Sequence, residues 1–262
     1  MQKALAGRKI ASVAVRFAGR LNVSAREFVR RVEGARIASV GRRAKLLLVN
    51  LSNGETIVTH LKMTGKYLLK PAGTEPTKHS HVVFDLDDGE RLLFEDIRKF
   101  GYLKLIKTAA LEKEVFDKEG YGPEPLDPAF TSARFALCLR GGGAQRIKPR
   151  LMAQTCIAGI GNIYADESLW RARIKPDRRV STLKDAEIAA LHDGVQVSLR
   201  ESLKNRGTSA DNFADLYGRP GKNVAKLKVY GREGMACQRC GAPIKKKRFA
   251  GRGTHWCGAC QK

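Results

Sequence analysis

The chain has 262 residues, 43% of them hydrophobic, and carries 49 Lys and Arg against 26 Asp and Glu, a formal charge of +23. That length suffices for two domains, or for two and a small appendage, and the hydrophobic share argues for a folded protein rather than a disordered polyelectrolyte. Positive charge spread over a folded chain points to a polyanionic partner, nucleic acid before membrane, because no basic amphipathic helix with a broad apolar face stands out.

The N-terminus MQKALAGRKI has no apolar run, and no stretch approaches the ~20 apolar residues of a membrane span. A cytoplasmic, nucleoid-associated protein with no membrane partner is expected. From Lys9 to Lys107 the pattern is mostly strand: KIASVAVRF, RIASVGRRAKLLLVNL, ETIVTHLKMTGKYLLK, HVVFDLDD and ERLLFEDIRKFGYLKLI alternate or run apolar, with Asn53-Gly54 and Asp88-Gly89 as turn signals. One short helix interrupts, with Ser24 and Glu27 as a capping box, Phe28 and Val32 on one face and Gly34 at its end. This predicts an antiparallel sandwich or barrel.

EGYGPEPLD, residues 119–127, reads as a linker, and the period then becomes helical. Helices are expected over Phe130 to Leu139, Pro149 to Gln154, Asn162 to Arg173 and Leu183 to Asn205, the last with Ile188, Leu191, Val195, Leu199 and Leu203 on one stripe. The two middle helices flank an apolar turn broken by Gly159 and Gly161, with Asn162 expected as the cap of the second. A helix opened after a Gly-X-Gly bend offers free N–H groups to an anion such as phosphate, and Lys148, Arg150, Arg171, Arg173 and Lys175 surround it. The polar stretch RGTSADNFADLYGRPGKNV is a long loop. Three domains are expected: 1–118, 119–227 and 228–262.

Cys138 and Cys156 sit in apolar company and read as small core residues. Cys237-Gln-Arg-Cys240 and Cys257-Gly-Ala-Cys260 are different, because two CxxC pairs offer four thiolates to one tetrahedral ion, and such sites select zinc. Disulfides are the other reading, disfavoured in a reducing compartment. With all four positions filled, the expected ion is structural. Between the pairs, a basic arm from Lys245 to Arg248 leads to a Gly-Arg-Gly tip that presents Arg252.

The helical stretch IKPRLMAQ with GIGNIYADESLW resembles the helix-two-turn-helix signature of the formamidopyrimidine-DNA glycosylase and endonuclease VIII family of base-excision repair enzymes, with formamidopyrimidine-DNA glycosylase the nearer branch. The segment VYGREG followed by the cysteine pairs and AGRGTHWC resembles the family's zinc finger. The resemblance implies a multidomain α+β fold: N-terminal antiparallel β-sandwich, helix-two-turn-helix domain, C-terminal zinc ribbon. It implies a monomer acting on damaged double-stranded DNA, removing oxidised purines and nicking by β,δ-elimination.

The same resemblance assigns roles. RRAKLLLVNL is similar to the family's lysine-bearing strand, which gives Lys45 a part in proton transfer, and Arg252 matches the arginine that contacts phosphate at the lesion. HLKMTG gives His60 and the wedge Met63, DIRKFG gives the wedges Arg98 and Phe100, KHSHVVFDL gives His79, and Lys148 and Asn162 complete the DNA contacts. Alone, Lys45 would be a surface residue, and Met63 and Phe100 would be core. Lys62 and Ile97 stand where the family usually has glycine and proline.

The family begins Pro-Glu-Leu-Pro-Glu, whose proline amine attacks the sugar and whose glutamate exchanges protons; MQKALAGRKI matches the end of the family's first helix and supplies no Pro-Glu. Met1 aligns about a dozen residues downstream, about 18 Å along a helix, whereas imine formation needs contact at about 3 to 3.5 Å. Two expectations follow: a reading frame that starts further upstream, giving a bifunctional glycosylase and lyase, or a non-catalytic protein that binds lesions or abasic sites. An RNA-binding zinc-ribbon protein is a third reading, with no use for Met63, Arg98 and Phe100.

Overall fold

The computed structural model describes residues 1–210 and 213–262. Its backbone divides into two compact units, one of Met1–Lys118 with Asp211–Gly221, the other of Glu119–Ala210 with Lys222–Lys262. Among the described residues no helix is long and apolar enough to cross a membrane.

The first unit opens with a short α1 (Gln2–Leu5), then β1 (Ile10–Val15), α2 (Ala25–Val32), β2 (Ile37–Arg43), β3 (Leu46–Leu51), β4 (Glu55–His60), β5 (Gly65–Pro71), β6 (Ser80–Leu86), β7 (Glu90–Asp96) and β8 (Tyr102–Lys107). These strands form two antiparallel four-stranded sheets, ordered β1-β6-β7-β5 and β2-β3-β4-β8. Alternation decides which face each side chain takes: Tyr67 and Leu69 of β5 enter the core with Phe84, Leu92 and Phe94, while Leu68 joins Val83 and Leu93 in a separate patch. The second sheet contributes Ile37, Val49, Ile57 and Leu103 to the same core, which makes the unit a sandwich. Phe28 and Val32 of α2 are buried in that core, and Ser24 accepts the Glu27 N–H at 3.2 Å. The Glu27 carboxylate turns to Arg31 at 2.9 Å, so only half of the expected capping box forms.

Three runs that read as single strands are each broken in two. RIASVGRRAKLLLVNL is a hairpin in which Arg43 pairs with Leu46 across Ala44 and Lys45, so Lys45 lies in the turn rather than at a strand start. Ala44 takes the left-handed conformation, φ +52°, that such a tight turn requires. The other two runs cross between the sheets: β4 leads to β5 through residues 61–64, and β7 leads to β8 through 97–101. On the far edge of β5, the Leu69 N–H donates to the Leu216 carbonyl at 2.8 Å, which occupies that exposed strand edge.

Short helical turns at Thr108–Ala110, Glu112–Phe116 and α3 (Asp117–Glu119) precede the second unit's elements: α4 (Ser132–Arg140), α5 (Ile147–Met152), α6 (Asn162–Arg171), α7 (Asp185–Lys204), β9 (Ile244–Phe249) and β10 (Arg252–Cys257). Helix α5 begins two residues before Pro149, which still falls in the first turn, where a missing N–H costs nothing. Helix α7 buries Ile188, Leu191 and Val195, but Leu203 of the expected stripe is 68% exposed. A 20-residue helix outruns the core it packs against, and its last turn projects past it. Cys138 and Cys156 are not two isolated core residues: they pair as a disulfide with a Cα–Cα distance of 5.4 Å. The pattern missed this because helix and turn lie 18 residues apart in sequence.

Candidate nucleic-acid interface

In the first unit, the two crossover loops are neighbours because their flanking strands are. His60 pairs with Tyr102 on one side of them and Gly65 with Asp96 on the other. Asp96, 1% exposed, organises both loops: its carboxylate accepts from the Thr64 hydroxyl, from the Arg98 N–H at 3.1 Å and from the Gly101 N–H at 2.7 Å. Burial alone would raise its pKa, but these donors together hold it below the usual carboxylate range. A Cβ on Gly101 would stand 3.0 Å from Phe94 and 3.1 Å from Asp96, so the loop closes tightly only with glycine there.

On this frame Met63 is 61% exposed and Phe100 44%. The Arg98 guanidinium joins them, donating toward Met63 Sδ at 3.0 Å and lying 4.7 Å over the Phe100 ring. Lys62 and Lys99, each beside a wedge residue, hold left-handed backbone at φ +54° and +56°. Three side chains that sequence placed in two motifs thus form one exposed cluster.

His60 Nδ1 accepts the Lys62 N–H at 2.9 Å, which directs the other ring nitrogen to act as donor when the ring is neutral. Burial, then the charges of Lys62 and Lys45, push its pKa down to about 4. His79 is half-buried, and its carbonyl accepts the Asp96 N–H at 3.0 Å, which fixes it beside the same loop. His81 of the His-x-His pair is buried, with Nε2 2.7 Å from the Asp96 carbonyl, so that ring nitrogen is already engaged within the fold.

In the second unit, the helix pair and the ribbon form one polar junction. Asn162 does not cap α6: Gly161 occupies the cap position with no side-chain bond, and Asn162 Nδ2 donates instead to the Gly253 carbonyl at 2.9 Å. Lys148, expected among the charges around the start of the second helix and as a DNA contact, is 2% exposed. Its ammonium forms an ion pair with Asp166 at 2.7 Å and donates to the Thr254 hydroxyl at 2.7 Å and the Gly253 carbonyl at 3.1 Å. Burial, seconded by the charge of Arg252, lowers the Lys148 pKa against the opposing pull of Asp166.

Asp166 and Glu167 carried no assignment from sequence, yet both are buried anchors. Asp166 follows Asn162 by four residues, one helical turn, and so faces the same hairpin; its second oxygen accepts the His255 N–H at 2.9 Å. Glu167 accepts the N–H groups of Lys228, Val229 and Tyr230 at 2.9 to 3.0 Å, which fastens the segment entering the ribbon. Burial outweighs these donors and raises its pKa. The one signal for this in sequence was the acidic pair inside an otherwise apolar stretch.

The hairpin turn is Ala250-Gly251, both with left-handed backbone, and the exposed Arg252 begins the return strand rather than forming the tip. Gly253, its neighbour, is the residue held by both Lys148 and Asn162. Lys148, Pro149, Met152, Ala153, Phe249, Ala250 and Arg252 line an open hollow of about 220 Å³.

The sulfurs of Cys237, Cys240, Cys257 and Cys260 all lie within 4.8 Å of one another, with 3.4 Å between Cys240 and Cys257 and 3.9 Å between Cys237 and Cys260. A tetrahedral ion with Zn–S bonds of about 2.3 Å separates its sulfurs by about 3.8 Å, so the four suit one structural zinc. Trp170 of α6 packs on this site, its Nε1–H 3.5 Å from Cys237 Sγ and its ring 4.0 Å below the Arg239 guanidinium. The long loop is closed at its base, where Asn223 Nδ2 donates to Thr208 at 2.8 Å; Asp211 and Asn212 within it lie outside the described residues.

Comparison with known proteins places all three regions in one group. The family model described as the formamidopyrimidine-DNA glycosylase N-terminal domain matches residues 1–103, that of its H2TH domain matches 121–213, and that of a zinc finger found in FPG and IleRS matches 235–262. The formamidopyrimidine-DNA glycosylase of Roseiflexus sp. (strain RS-1) is 46% identical over 239 residues, covering 90% of this chain and 85% of the relative. That of Listeria innocua serovar 6a is 39% identical over 263 residues, covering 100% of this chain and 95% of the relative. Among solved structures, Lactococcus lactis FPG in complex with a Fapy-dG containing DNA is 35% identical with a TM-score of 0.92, covering 100% of this chain and 95% of that one. The same enzyme bound non-covalently to DNA with an AP site gives equal figures.

Proposed function

Because the chain belongs to the formamidopyrimidine-DNA glycosylase family, we propose that its two residue clusters divide the work of a base-excision repair enzyme between them. The protein is a DNA glycosylase and AP lyase whose substrate is damaged duplex DNA, with oxidised purines such as formamidopyrimidine and 8-oxoguanine as the lesions. It acts as a monomer in the cytoplasm, at the nucleoid. In this reading residues 1–118 carry the wedge and the chemistry, 119–227 hold the strand, and 228–262 form the zinc-braced finger.

An enzyme that works on a base must draw it out of the duplex, which costs a few kcal/mol of stacking, and must fill the space left. Met63 and Phe100 supply apolar and aromatic surface for that space, and Arg98 supplies a forked donor for the orphaned partner base. Its present contacts, a thioether and a ring face, are weak enough to exchange for a base edge. His60 and His79 flank the loops as backbone contacts, and Lys45, in the turn beside His60, takes part in proton transfer. Arg252 binds phosphate at the lesion and assists elimination. Asn162 and Lys148 serve the same strand; Lys148, with its ammonium already engaged, acts through the Gly253 hairpin that aims Arg252.

The single observation that carries this reading is the convergence of Met63, Arg98 and Phe100 on one exposed point above a buried Asp96. Borohydride trapping on an 8-oxoguanine duplex tests it, run with this chain and with one extended by the upstream codons. A covalent adduct that Met63→Ala and Arg98→Ala weaken at least about tenfold is expected. Tight duplex binding with no adduct from either chain would instead assign the protein to lesion binding without catalysis.

A further inference from the structure

We propose that Cys138 and Cys156 form a redox-responsive site, a thiol pair that peroxide closes into a disulfide clamping α4 to the turn ahead of α6. The four cysteines of the ribbon are suited to one metal ion, and these two belong instead to the helical core. Their Cα–Cα distance of 5.4 Å lies in the middle of the range a disulfide bridges without backbone movement.

The two partners have unequal surroundings. Cys156 is fully buried in the apolar turn, whereas Cys138 is partly exposed in the last turn of α4. Beside Cys138 lies the Arg150 guanidinium, which donates to the Cys138 carbonyl at 2.5 Å and places Nη2 3.9 Å from its sulfur. The room for that guanidinium comes from Gly141 and Gly142, where a Cβ would stand 3.3 Å from Arg150 Nη2 and 2.8 Å from Arg150 Cδ. A fixed cation beside the sulfur of a partly exposed cysteine favours the thiolate, the form that oxidants attack.

The step balances as follows. The Cys138 thiolate attacks one oxygen of hydrogen peroxide, giving a sulfenic acid and hydroxide. The Cys156 sulfur then attacks the Cys138 sulfur; the S–S bond forms, the S–O bond breaks, and the Cys156 proton leaves with the hydroxyl as water. Peroxide is reduced by two electrons and the pair of thiols is oxidised by two.

The bond encloses all of α5 and with it Lys148, the residue that holds the Gly253 hairpin. Closing that loop removes freedom from the unfolded chain and stiffens the mount of the strand-gripping helix pair under the conditions that produce oxidised bases.

The test uses the full-length, zinc-loaded protein, treated with hydrogen peroxide or with a phosphine reductant, alkylated, and digested without further reduction. Mass spectrometry is expected to find the peptides of Cys138 and Cys156 joined only in the oxidised sample. The oxidised protein is expected to melt about 5 to 10 °C above the reduced one, a difference that Cys138→Ser abolishes. Cys138→Ser is the main variant because its site is partly exposed; Cys156→Ser tests the buried partner. Alkyl groups on both Cys138 and Cys156 after peroxide, linkage of either to a ribbon cysteine, or equal melting of the two forms would overturn the proposal.

Discussion

His60 illustrates how one side chain's state follows from its neighbours. Its pKa, pushed down to about 4 by burial and by the charges of Lys62 and Lys45, lies below the ordinary value of 6.5. Between those values the unfolded chain binds the proton and the folded one does not, so stability falls as pH drops through that window and is unaffected above it. The ring is therefore expected to stay neutral at about pH 5.5, read from its NMR shift against pH; an inflection near 6.5 would contradict the arrangement. The residue-scale features legible from the residues themselves were the four paired cysteines of the ribbon and the basic residues; Phe100 was placed only by the family resemblance, since alone it would read as core. Asp96 was not legible, because an aspartate that bonds three groups across two loops has no local pattern to announce it.

Helix α6 is the element on which the second unit is assembled. One face holds the ribbon through Asn162, Asp166 and Glu167, and another packs against α7, where Arg171 binds Ser198 at 3.0 Å and also contacts Glu201. Gly194 lets the helices approach, since a Cβ there would stand 2.9 Å from the Ser168 carbonyl and 3.3 Å from Arg171 Cβ. In an open helix Gly→Ala gains about 1 kcal/mol. Here the obstacle is backbone, so Gly194→Ala is expected to destabilise by about 1 to 2 kcal/mol, measured by calorimetry. A raised melting temperature would show that the helices have slack. The existence of α6 and α7 was plain from periodicity; their ends and Leu203's exposure were not, because a stripe's period does not say how far the opposing core extends.

At the scale of the whole molecule, charge decides how the protein meets its substrate. A net +23 predicts that phosphate neutralisation supplies a large share of its affinity for duplex. Binding to a duplex with an abasic-site analogue is expected to weaken by at least about 10³-fold between about 50 and 200 mM salt, as for about six or more phosphate contacts. A shallow dependence, measured by fluorescence anisotropy, would mean that the excess charge faces elsewhere. The sequence by itself determined the zinc site, the strand-rich first part, the helix pair and the polyanionic partner, because each is written in spacing, period or composition over a few neighbouring residues. Only the tertiary structure decided that Lys148 is buried, that Asn162 hooks the Gly253 carbonyl instead of capping its helix, and that Cys138 meets Cys156. Those contacts join residues that the chain brings together only by folding, and their energies come from burial and pairing that no local window contains.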